Sequence, residues 1–353
     1  MEHETQKALE LIDRPAFLVR DSAVVYANQI AKQHLVTVGM TTKEILGQHY
    51  DAYENLKDGC LYMTLYIRDI PHGATILRQE DGDIFLLDRD FDTCQLQTFA
   101  LAAQQLRTPL SNLITVSDCL LPIIADSEGK EYAAHLRQNL FAMMHLVSNM
   151  ADAGRYQGLF EPNWETTELN RFFRELFEKA DTVLEHADVR VQYTPMEKGV
   201  FSLVDREQIQ RAVYNLLSNA AKFSPKGSTI QAKLTRKKDY VGLTIEDQGS
   251  GVAPHVKSDL FHRYLREPTI EDSRFGLGLG MTLVRSAAAI HEGTVLVDQP
   301  GGTRVTLTLA IRKFIPDTLR SPVMRISDYT GGHDMALFEF AQILPPSAFE
   351  QDI

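Results

Sequence analysis

The sequence predicts an α+β protein of several domains, and three patterns along the chain support this prediction. Residues 10–90 contain short runs of alternating apolar and polar residues, which are typical of β-strands. Residues 91–156 repeat apolar residues at heptad spacing, which predicts long helices. Residues 165–312 mix strand and helix patterns with two glycine clusters. At 353 residues and 44% apolar content, the chain is long enough for two or three domains with separate cores.

The first pattern predicts a small α+β domain over residues 1–90. PAFLVRDSAVVYAN contains two apolar runs that form a hairpin pattern, and it ends at Asn28, which can cap the helix that follows. CLYMTLYIRD and ATILRQEDGDIFLLD add further strands. This order of elements is similar to that of a PAS domain, with an unrelated α+β module as the alternative. The resemblance implies a sensor cavity or a dimer surface, and the other interpretation is a packed scaffold that binds nothing small.

The second pattern predicts an antiparallel pair of helices over residues 91–156. The first helix begins close to Phe91 and breaks near Pro122. The seam positions are Leu96, Phe99, Ala103, Leu106, Leu110, Leu113, Ser117 and Leu120 in the first helix and Leu136, Leu140, Met143, Val147 and Met150 in the second. Because two such helices cannot bury their seam alone, we expect them to dimerise into a four-helix bundle. Residues 157–168 are expected to be a linker.

The third pattern begins with a helix that presents polar residues on one side. It starts at Asp205, and its apolar stripe includes Ile209. Asn215, Asn219 and Lys222 follow at spacings of four and three on a different face. Two amides and an ammonium on one side of a helix can hold a hydrated metal ion and the phosphates that it bridges.

The first glycine cluster follows a strand. The alternating segment YVGLTIE leads to Asp247, and Gly249 and Gly251 come directly after it. A carboxylate at a strand end can accept a hydrogen bond from an exocyclic amine. Glycines adopt positive φ angles and let backbone N–H groups approach a ligand. This pattern therefore favours a small-molecule site at the end of the strand.

The second glycine cluster opens a helix. Gly276, Gly278 and Gly280 precede MTLVRSAAAIHEG, in which apolar residues recur at helical spacing. The unpaired N–H groups and the dipole of a helix N-terminus favour phosphate. A dinucleotide-binding fold is not indicated, because neither a preceding strand nor a following βαβ unit is predicted.

Four motifs in this region resemble, in order, the N, G1, F and G2 boxes of the ATP-binding domain of histidine kinases in the GHKL superfamily. They are NLLSNAAKFSP, DQGSGV, LFHRYLR and GLGLGM. The resemblance implies an α/β sandwich over residues 165–312 that binds ATP and Mg²⁺. It implies that Asn219 coordinates Mg²⁺, that Asp247 accepts a hydrogen bond from the adenine amine, and that Lys222 lies near the phosphates.

The same resemblance implies a lid over the nucleotide. Residues 252–275 would form this mobile lid, Phe261 would anchor it, and Arg266 would reach the γ-phosphate. Residues 313–353 lie outside the resemblance, and we expect them to be a packed or interaction-prone extension of unknown role.

The first long helix contains AAQQLRTPLSNL, which resembles the H-box of histidine kinases. The Leu-Arg-Thr-Pro-Leu part, residues 106–110, matches residue by residue. Gln104, however, stands where the phosphoacceptor histidine belongs, and Gln105 stands where the acidic residue belongs. An amide nitrogen has a delocalised lone pair and does not titrate, so it is neither a useful nucleophile nor a base. We therefore expect a pseudokinase that binds ATP without the usual autophosphorylation.

Three alternatives stay open. A different histidine can be the acceptor, although His135 and His145, expected to be exposed on the second helix, lack the H-box context. Gln105 and Thr108 can orient a water molecule that hydrolyses the phospho-aspartate of a response regulator, which would make the protein a phosphatase. A free-standing GHKL ATPase, such as a chaperone or an anti-sigma kinase, fits the four boxes but leaves the heptads and the H-box remnant unexplained.

Charge, hydropathy and family resemblance set expectations for partners and location. A net charge of −11 argues against nonspecific binding to nucleic acid or to an anionic membrane. The polar N-terminus and the absence of a long apolar run predict a cytoplasmic protein without a membrane span. The widely spaced cysteines indicate neither a disulfide framework nor a zinc site. The resemblance implies a two-component pathway, with a homodimer or a heterodimer with another histidine kinase, and a response regulator as partner.

Overall fold

The N-terminal part of the chain folds as an antiparallel β-sheet with short helices. The structure is a computed structural model that describes residues 2–57, 59–88, 92–124, 126–155, 162–257, 260–261, 279–299, 301–313 and 333–350. The N-terminal elements are α1 (Glu2–Leu11), β1 (Ala16–Arg20), β2 (Ala23–Ala27), α2 (Gln29–Gln33), α3 (Thr42–Leu46), α4 (Tyr50–Glu54), β3 (Cys60–Ile67), β4 (Ile70–Leu77) and β5 (Asp83–Leu87). The described strands have the order β2-β1-β5-β4-β3.

The hairpin and the helix cap that the sequence predicts are both present. Phe17 lies opposite Ala27 across β1 and β2. The side-chain oxygen of Asn28 accepts hydrogen bonds from the backbone N–H groups of Ala31, at 2.8 Å, and Ala16, at 3.1 Å. This one amide therefore caps α2 and fixes the start of β1. That the unit is a PAS domain stays a prediction.

A long helical hairpin follows, formed by α5 (Asp92–Leu120) and α6 (Ser127–Arg155). Among the described seam positions, some side chains are buried and others are exposed. Ala103, Leu110, Ser117, Leu140 and Val147 are buried, whereas Leu106, Leu113, Leu120, Leu136 and Met143 are about half exposed. An apolar stripe thus remains on the outside of the hairpin. Although both helices are long, none of the described helices combines the length and the apolar character that crossing a membrane requires.

The third part is a mixed sheet covered by helices, as the sequence predicts. Its elements are β6 (Trp164–Glu168), α7 (Leu169–Leu184), β7 (Arg190–Thr194), β8 (Phe201–Asp205), α8 (Arg206–Phe223), β9 (Thr229–Lys237), β10 (Tyr240–Glu246), α9 (Pro254–Lys257), α10 (Gly280–Ile290), β11 (Val295–Asp298) and β12 (Arg304–Ala310). The pairing of β7 with β9 is parallel, and β9, β10, β12 and β11 pair antiparallel. Helices α7, α8 and α10 supply the buried helical side of the core.

Two strand pairings differ from the expectation from sequence. The expected linker ends in β6, which pairs with β8, so the last residues of the linker belong to the fold. Strand β3 pairs with β11, with Val295 opposite Tyr62 and Val297 opposite Cys60, so the two sheets join into one sheet of ten described strands. Both strands would otherwise expose unpaired N–H and C=O groups along an edge, and the pairing satisfies them.

The C-terminal segment, residues 333–350, is packed rather than extended. It contains α11 (Met335–Phe340) and a 3₁₀ turn over Pro346–Phe349. The helix begins at Asp334, whose side chain accepts a hydrogen bond from the backbone N–H of Ala336 at 2.9 Å. The segment contacts α6, α7 and α8, so it bridges the hairpin and the third part of the chain. Residues 333–350 therefore pack against the rest of the chain, and the role of residues 313–353 as a C-terminal extension stays a prediction.

His291 connects α10 to the cap of α8 and makes stability depend on pH. Its Nε2 accepts a hydrogen bond from the backbone N–H of Asp205 at 3.0 Å, and its Nδ1 lies 2.7 Å from the carbonyl oxygen of Ala287. This pattern requires the neutral ring. Burial lowers the pKa of His291 from 6.5 to about 4.

We expect the folded state to lose about 2 kcal/mol of stability through His291 between pH 7 and pH 5. The unfolded chain, with the higher pKa, binds the proton first, so the free energy of unfolding falls as the pH drops below about 6.5. The measurement is urea unfolding at both pH values, compared with a His291→Gln variant that does not titrate. Burial raises the pKa of Asp205, so this carboxyl group makes the free energy of unfolding rise as the pH falls. The unaltered protein and the His291→Gln variant share this contribution. Equal pH dependence in the two proteins would refute this assignment.

Candidate nucleotide-binding site

Helix α8 carries the amide and ammonium side chains of the predicted site. Asp205 caps it by accepting a hydrogen bond from the backbone N–H of Gln208 at 3.1 Å. The apolar stripe packs into the core, and its members are Ile209, Val213, Leu216 and Ala220. Asn215 is buried, and Asn219 and Lys222 are half-buried. The expected division of the helix into an apolar and a polar side is therefore present.

Asp247 lies at the end of β10 and is held by the backbone around it. Its Oδ1 accepts hydrogen bonds from the N–H groups of Gly249, at 2.8 Å, and Thr303, at 3.0 Å. The backbone N–H of Asp247 donates to the carbonyl oxygen of Thr303 at 2.9 Å. Neither side-chain bond uses Oδ2. Asp247 is 8% exposed, and the two hydrogen bonds to Oδ1 fix the orientation of its carboxylate. Because neither of these donors binds Oδ2, that oxygen can accept a hydrogen bond from a ligand.

Two glycines bring the three elements of the site together. A Cβ atom at Gly249 would lie 2.7 Å from the carbonyl oxygen of Phe223. The backbone after β10 therefore approaches the end of α8 more closely than a residue with a side chain would allow. A Cβ atom at Gly280 would lie 2.7 Å from Oδ1 of Asn215, so the start of α10 lies against the polar side of α8. Gly251 has a φ of 77°, which also favours glycine.

The lid region is described only in part. Phe261 is fully buried, and its ring centroid lies 5.5 Å from that of Tyr62 on β3, so the predicted anchor packs against the N-terminal sheet. Arg285 on α10 binds Asp88 at 2.9 Å beside the same tyrosine. Arg266, Gly276 and Gly278 lie outside the described residues.

The H-box remnant lies on the surface of α5. Gln104, Gln105 and Thr108 are exposed, and Pro109 lies inside the helix directly after Thr108. None of these three polar side chains hydrogen-bonds to α8, β10 or α10 in the part of the chain that the structure describes. The sequence therefore identified two regions, and no hydrogen bond joins their side chains among the described residues.

A buried polar cluster connects the hairpin to α8, and sequence reasoning missed it. Arg211 pairs with Asp152 and donates to the side-chain oxygen of Asn149 at 3.1 Å. His145 was expected to be exposed, and this is wrong: it is 6% exposed, and its Nδ1 lies 3.2 Å from a carboxylate oxygen of Glu339. His135 is exposed as expected. Arg211 stands one helical turn before Asn215, so the two residues lie on the same face of α8. This spacing is the signal in the sequence that could have identified Arg211.

The donor set fits Mg²⁺ bound through a nucleotide. Mg²⁺ takes oxygen ligands and usually keeps several waters, with one or two protein ligands beside substrate phosphates. The described residues contain no group of three or more His, Cys, Asp or Glu side chains placed to hold a metal ion. A single amide oxygen from Asn219, completed by phosphate and water oxygens, is compatible with this surface.

The third part of the chain matches a known family. Residues 204–313 match the family of histidine kinase-, DNA gyrase B- and HSP90-like ATPases. Among curated proteins, the sensor-like histidine kinase SenX3 of Mycobacterium tuberculosis is 26% identical over 273 residues, which cover 72% of this chain and 66% of SenX3. The sensor histidine kinase CusS of Escherichia coli is 30% identical over 226 residues, which cover 62% of this chain and 46% of CusS. The chain thus spans less than two thirds of the length of these relatives.

A solved structure shares the fold. Full-length ShkA in complex with AMPPNP superimposes with a TM-score of 0.51 at 18% identity, over 62% of this chain and 46% of ShkA. The chain therefore shares its fold with this structure over the aligned part.

Proposed function

We propose that this chain, which belongs to the sensor histidine kinase family of two-component signalling proteins, binds Mg-ATP without phosphorylating itself. The observation that carries the proposal is the carboxylate of Asp247, which is fixed by two backbone donors and stands two residues before Gly249, where β10 approaches the end of α8. Asp247 accepts a hydrogen bond from the adenine amine through Oδ2. Asn219 holds Mg²⁺ through its amide oxygen, and Lys222 neutralises phosphate charge. Bound Mg²⁺ would supply charge neutralisation and orientation of the phosphates.

The pseudokinase part of the proposal rests on the surface of α5. Gln104 and Gln105 are exposed where a nucleophile and a base would have to stand, and an amide supplies neither function. The test is titration of the purified chain with Mg-ATP, followed by incubation with γ-labelled ATP. We expect heat of binding and no retained label. Failure to bind any adenine nucleotide contradicts the proposal.

A second candidate function is favoured by the exposure of Gln105 and Thr108. These residues are three apart on α5, so their polar groups lie on the same side of the helix and can orient one water molecule. The chain would then dephosphorylate a response regulator. Release of phosphate from a regulator charged with acetyl phosphate, absent with a Thr108→Ala variant, is the measurement, and equal release with both proteins counts against it.

We further propose that the hairpin pairs with a second copy or with a related kinase to form a four-helix bundle. The support is the outer apolar stripe of α5 and α6, in which Leu106, Leu113 and Leu120 recur at heptad spacing. A response regulator as partner and a cytoplasmic location also stay proposals.

We expect a Leu113→Glu variant to be monomeric. Leu113 is 53% exposed within the chain, so a charge at this position does not disturb the core but becomes buried in the bundle. Size-exclusion chromatography with light scattering gives the mass. A Thr115→Glu variant, with the same charge at an exposed position off the stripe, should keep the mass of the unaltered protein. A dimer that persists in the Leu113→Glu variant would rule out this face.

A further inference from the structure

The C-terminal segment, residues 333–350, lies on the polar side of α8. Nδ2 of Asn215 donates to Oε2 of Glu339 at 3.5 Å, and Nζ of Lys222 donates to Oε1 of Gln342 at 3.1 Å. Asn219 stands between Asn215 and Lys222 on the same helix. The segment therefore engages the side chains on both sides of the proposed Mg²⁺ ligand.

Aromatic side chains anchor the segment on two elements. The ring of Phe340 lies 5.3 Å from that of Tyr214 on α8. The ring of Phe338 stacks on Phe141 of α6 at 4.1 Å, and Phe349 meets the same ring edge-on at 5.6 Å. All these rings are fully buried. Buried aromatic contacts with α6 and α8 therefore hold the segment in place.

Glu339 gives the contact an anionic character. Its side chain is fully buried, with Nδ1 of His145 at 3.2 Å from Oε2 and Nε of Arg211 at 3.8 Å from Oε1. A buried carboxylate requires such donors. It therefore places negative charge against Asn215 at the edge of the surface where the proposed function puts the phosphates, and two anionic groups cannot share that surface favourably.

The segment also depends on the hairpin. Nε2 of Gln138 on α6 donates to the carbonyl oxygens of Ala341, at 3.2 Å, and Leu344, at 2.7 Å. These bonds hold the part of the segment that includes Gln342. The same part of the segment is therefore bound to both α6 and α8.

We propose that residues 333–350 form an autoinhibitory segment that competes with Mg-ATP for the polar side of α8, through Glu339 and Gln342. The inference rests on the proposed nucleotide binding. The bound segment occupies Asn215 and Lys222 and fixes α8 relative to α6. Nucleotide binding displaces it, so occupancy of the site changes how the ATPase domain is held on the hairpin.

The test measures hydrogen exchange of residues 335–344 in the full chain, with and without saturating Mg-ATP, together with the Kd by calorimetry. A Gln138→Ala, Gln342→Ala double variant weakens the segment without changing the proposed nucleotide ligands. An Asn139→Ala variant is the matched control, because the amide of this exposed residue donates within α6, to the carbonyl oxygen of His135. We expect faster exchange of the segment on Mg-ATP binding, a several-fold lower Kd for the double variant, and an unchanged Kd for the control.

Three results separate the possibilities. Mg-ATP binding with unchanged exchange of residues 335–344 overturns the inference and leaves the proposed function intact. A Kd that is equal in the unaltered protein and in a double variant with faster exchange also overturns it. Absence of binding in both proteins overturns the proposed function, and the inference falls with it.

Discussion

The unaltered chain should retain no phosphate from γ-labelled ATP and Mg²⁺, whereas a Gln104→His, Gln105→Glu double variant should become labelled, with a rate difference of roughly a hundredfold or more. The double variant supplies an imidazole nucleophile and an adjacent carboxylate that can withdraw the second ring proton. Both positions are exposed on α5, so neither substitution disturbs the core. The kink-prone Pro109 and the neighbouring Thr108 stay in place to present the new acceptor.

Two controls make this result interpretable. A Gln105→Glu single variant should stay unlabelled, because it has the carboxylate without the nucleophile. Adding Asp247→Asn to the double variant should slow the labelling at low ATP concentration, because the phosphate must come from the proposed ATP site. Treatment of the labelled protein with acid and base should show the acid lability and base stability of phosphohistidine.

Label on the unaltered chain would show that another side chain is the acceptor. If that label is lost in acid and kept in base, the acceptor is a histidine. The structure then favours His135 over His145 on the second helix, because His135 is exposed whereas His145 is buried beside Glu339. A His135→Gln variant would lose the label in that case.

The sequence predicted the elements whose signals are local. The heptads gave α5 and α6, and the spacing of Asn215, Asn219 and Lys222 gave the polar side of α8, because helical period and side-chain type are both visible in a short window. Asp247 was placed at a strand end for the same reason, and the structure finds it directly after β10.

The features that sequence reasoning missed depend on contacts between distant parts of the chain. His145 has a helical position that is compatible with exposure, yet it is buried, and one of its partners is Glu339, almost two hundred residues later in the chain. The pairing of β3 with β11 joins two sheets whose individual strand patterns carry no information about each other. The docking of the C-terminal segment is of this kind too, since Phe338 meets Phe141 across the fold.

An Asp247→Asn variant should bind Mg-ATP at least ten- to a hundredfold more weakly than the unaltered chain. The amide oxygen can still accept from the N–H groups of Gly249 and Thr303, so the local backbone is retained. The amide NH₂ group then takes the place of Oδ2 and faces the adenine amine, which places one donor against another. Losing a hydrogen bond to a charged group and leaving a buried donor unpaired costs about 1.5–3 kcal/mol, and each 1.4 kcal/mol is about tenfold in affinity.

The same geometry predicts how the Asp247→Asn substitution changes the preference for ATP over GTP. Guanine presents a carbonyl oxygen where adenine presents its amine, and an amide NH₂ can donate to that oxygen whereas a carboxylate repels it. The Asp247→Asn variant should therefore prefer ATP over GTP much less than the unaltered chain does. Calorimetric titration with both nucleotides measures the ratio, and thermal unfolding without nucleotide checks that the fold is unchanged.

Glu246 provides the matched control for the loss of negative charge in the Asp247→Asn variant. It precedes Asp247 in the chain, and its carboxylate binds Arg304 at 2.9 Å on the half-exposed surface. A Glu246→Gln variant removes the same charge one residue away, and an exposed ion pair contributes little to stability. If the Glu246→Gln and Asp247→Asn variants bind Mg-ATP equally well, the fixed carboxylate of Asp247 does not recognise adenine.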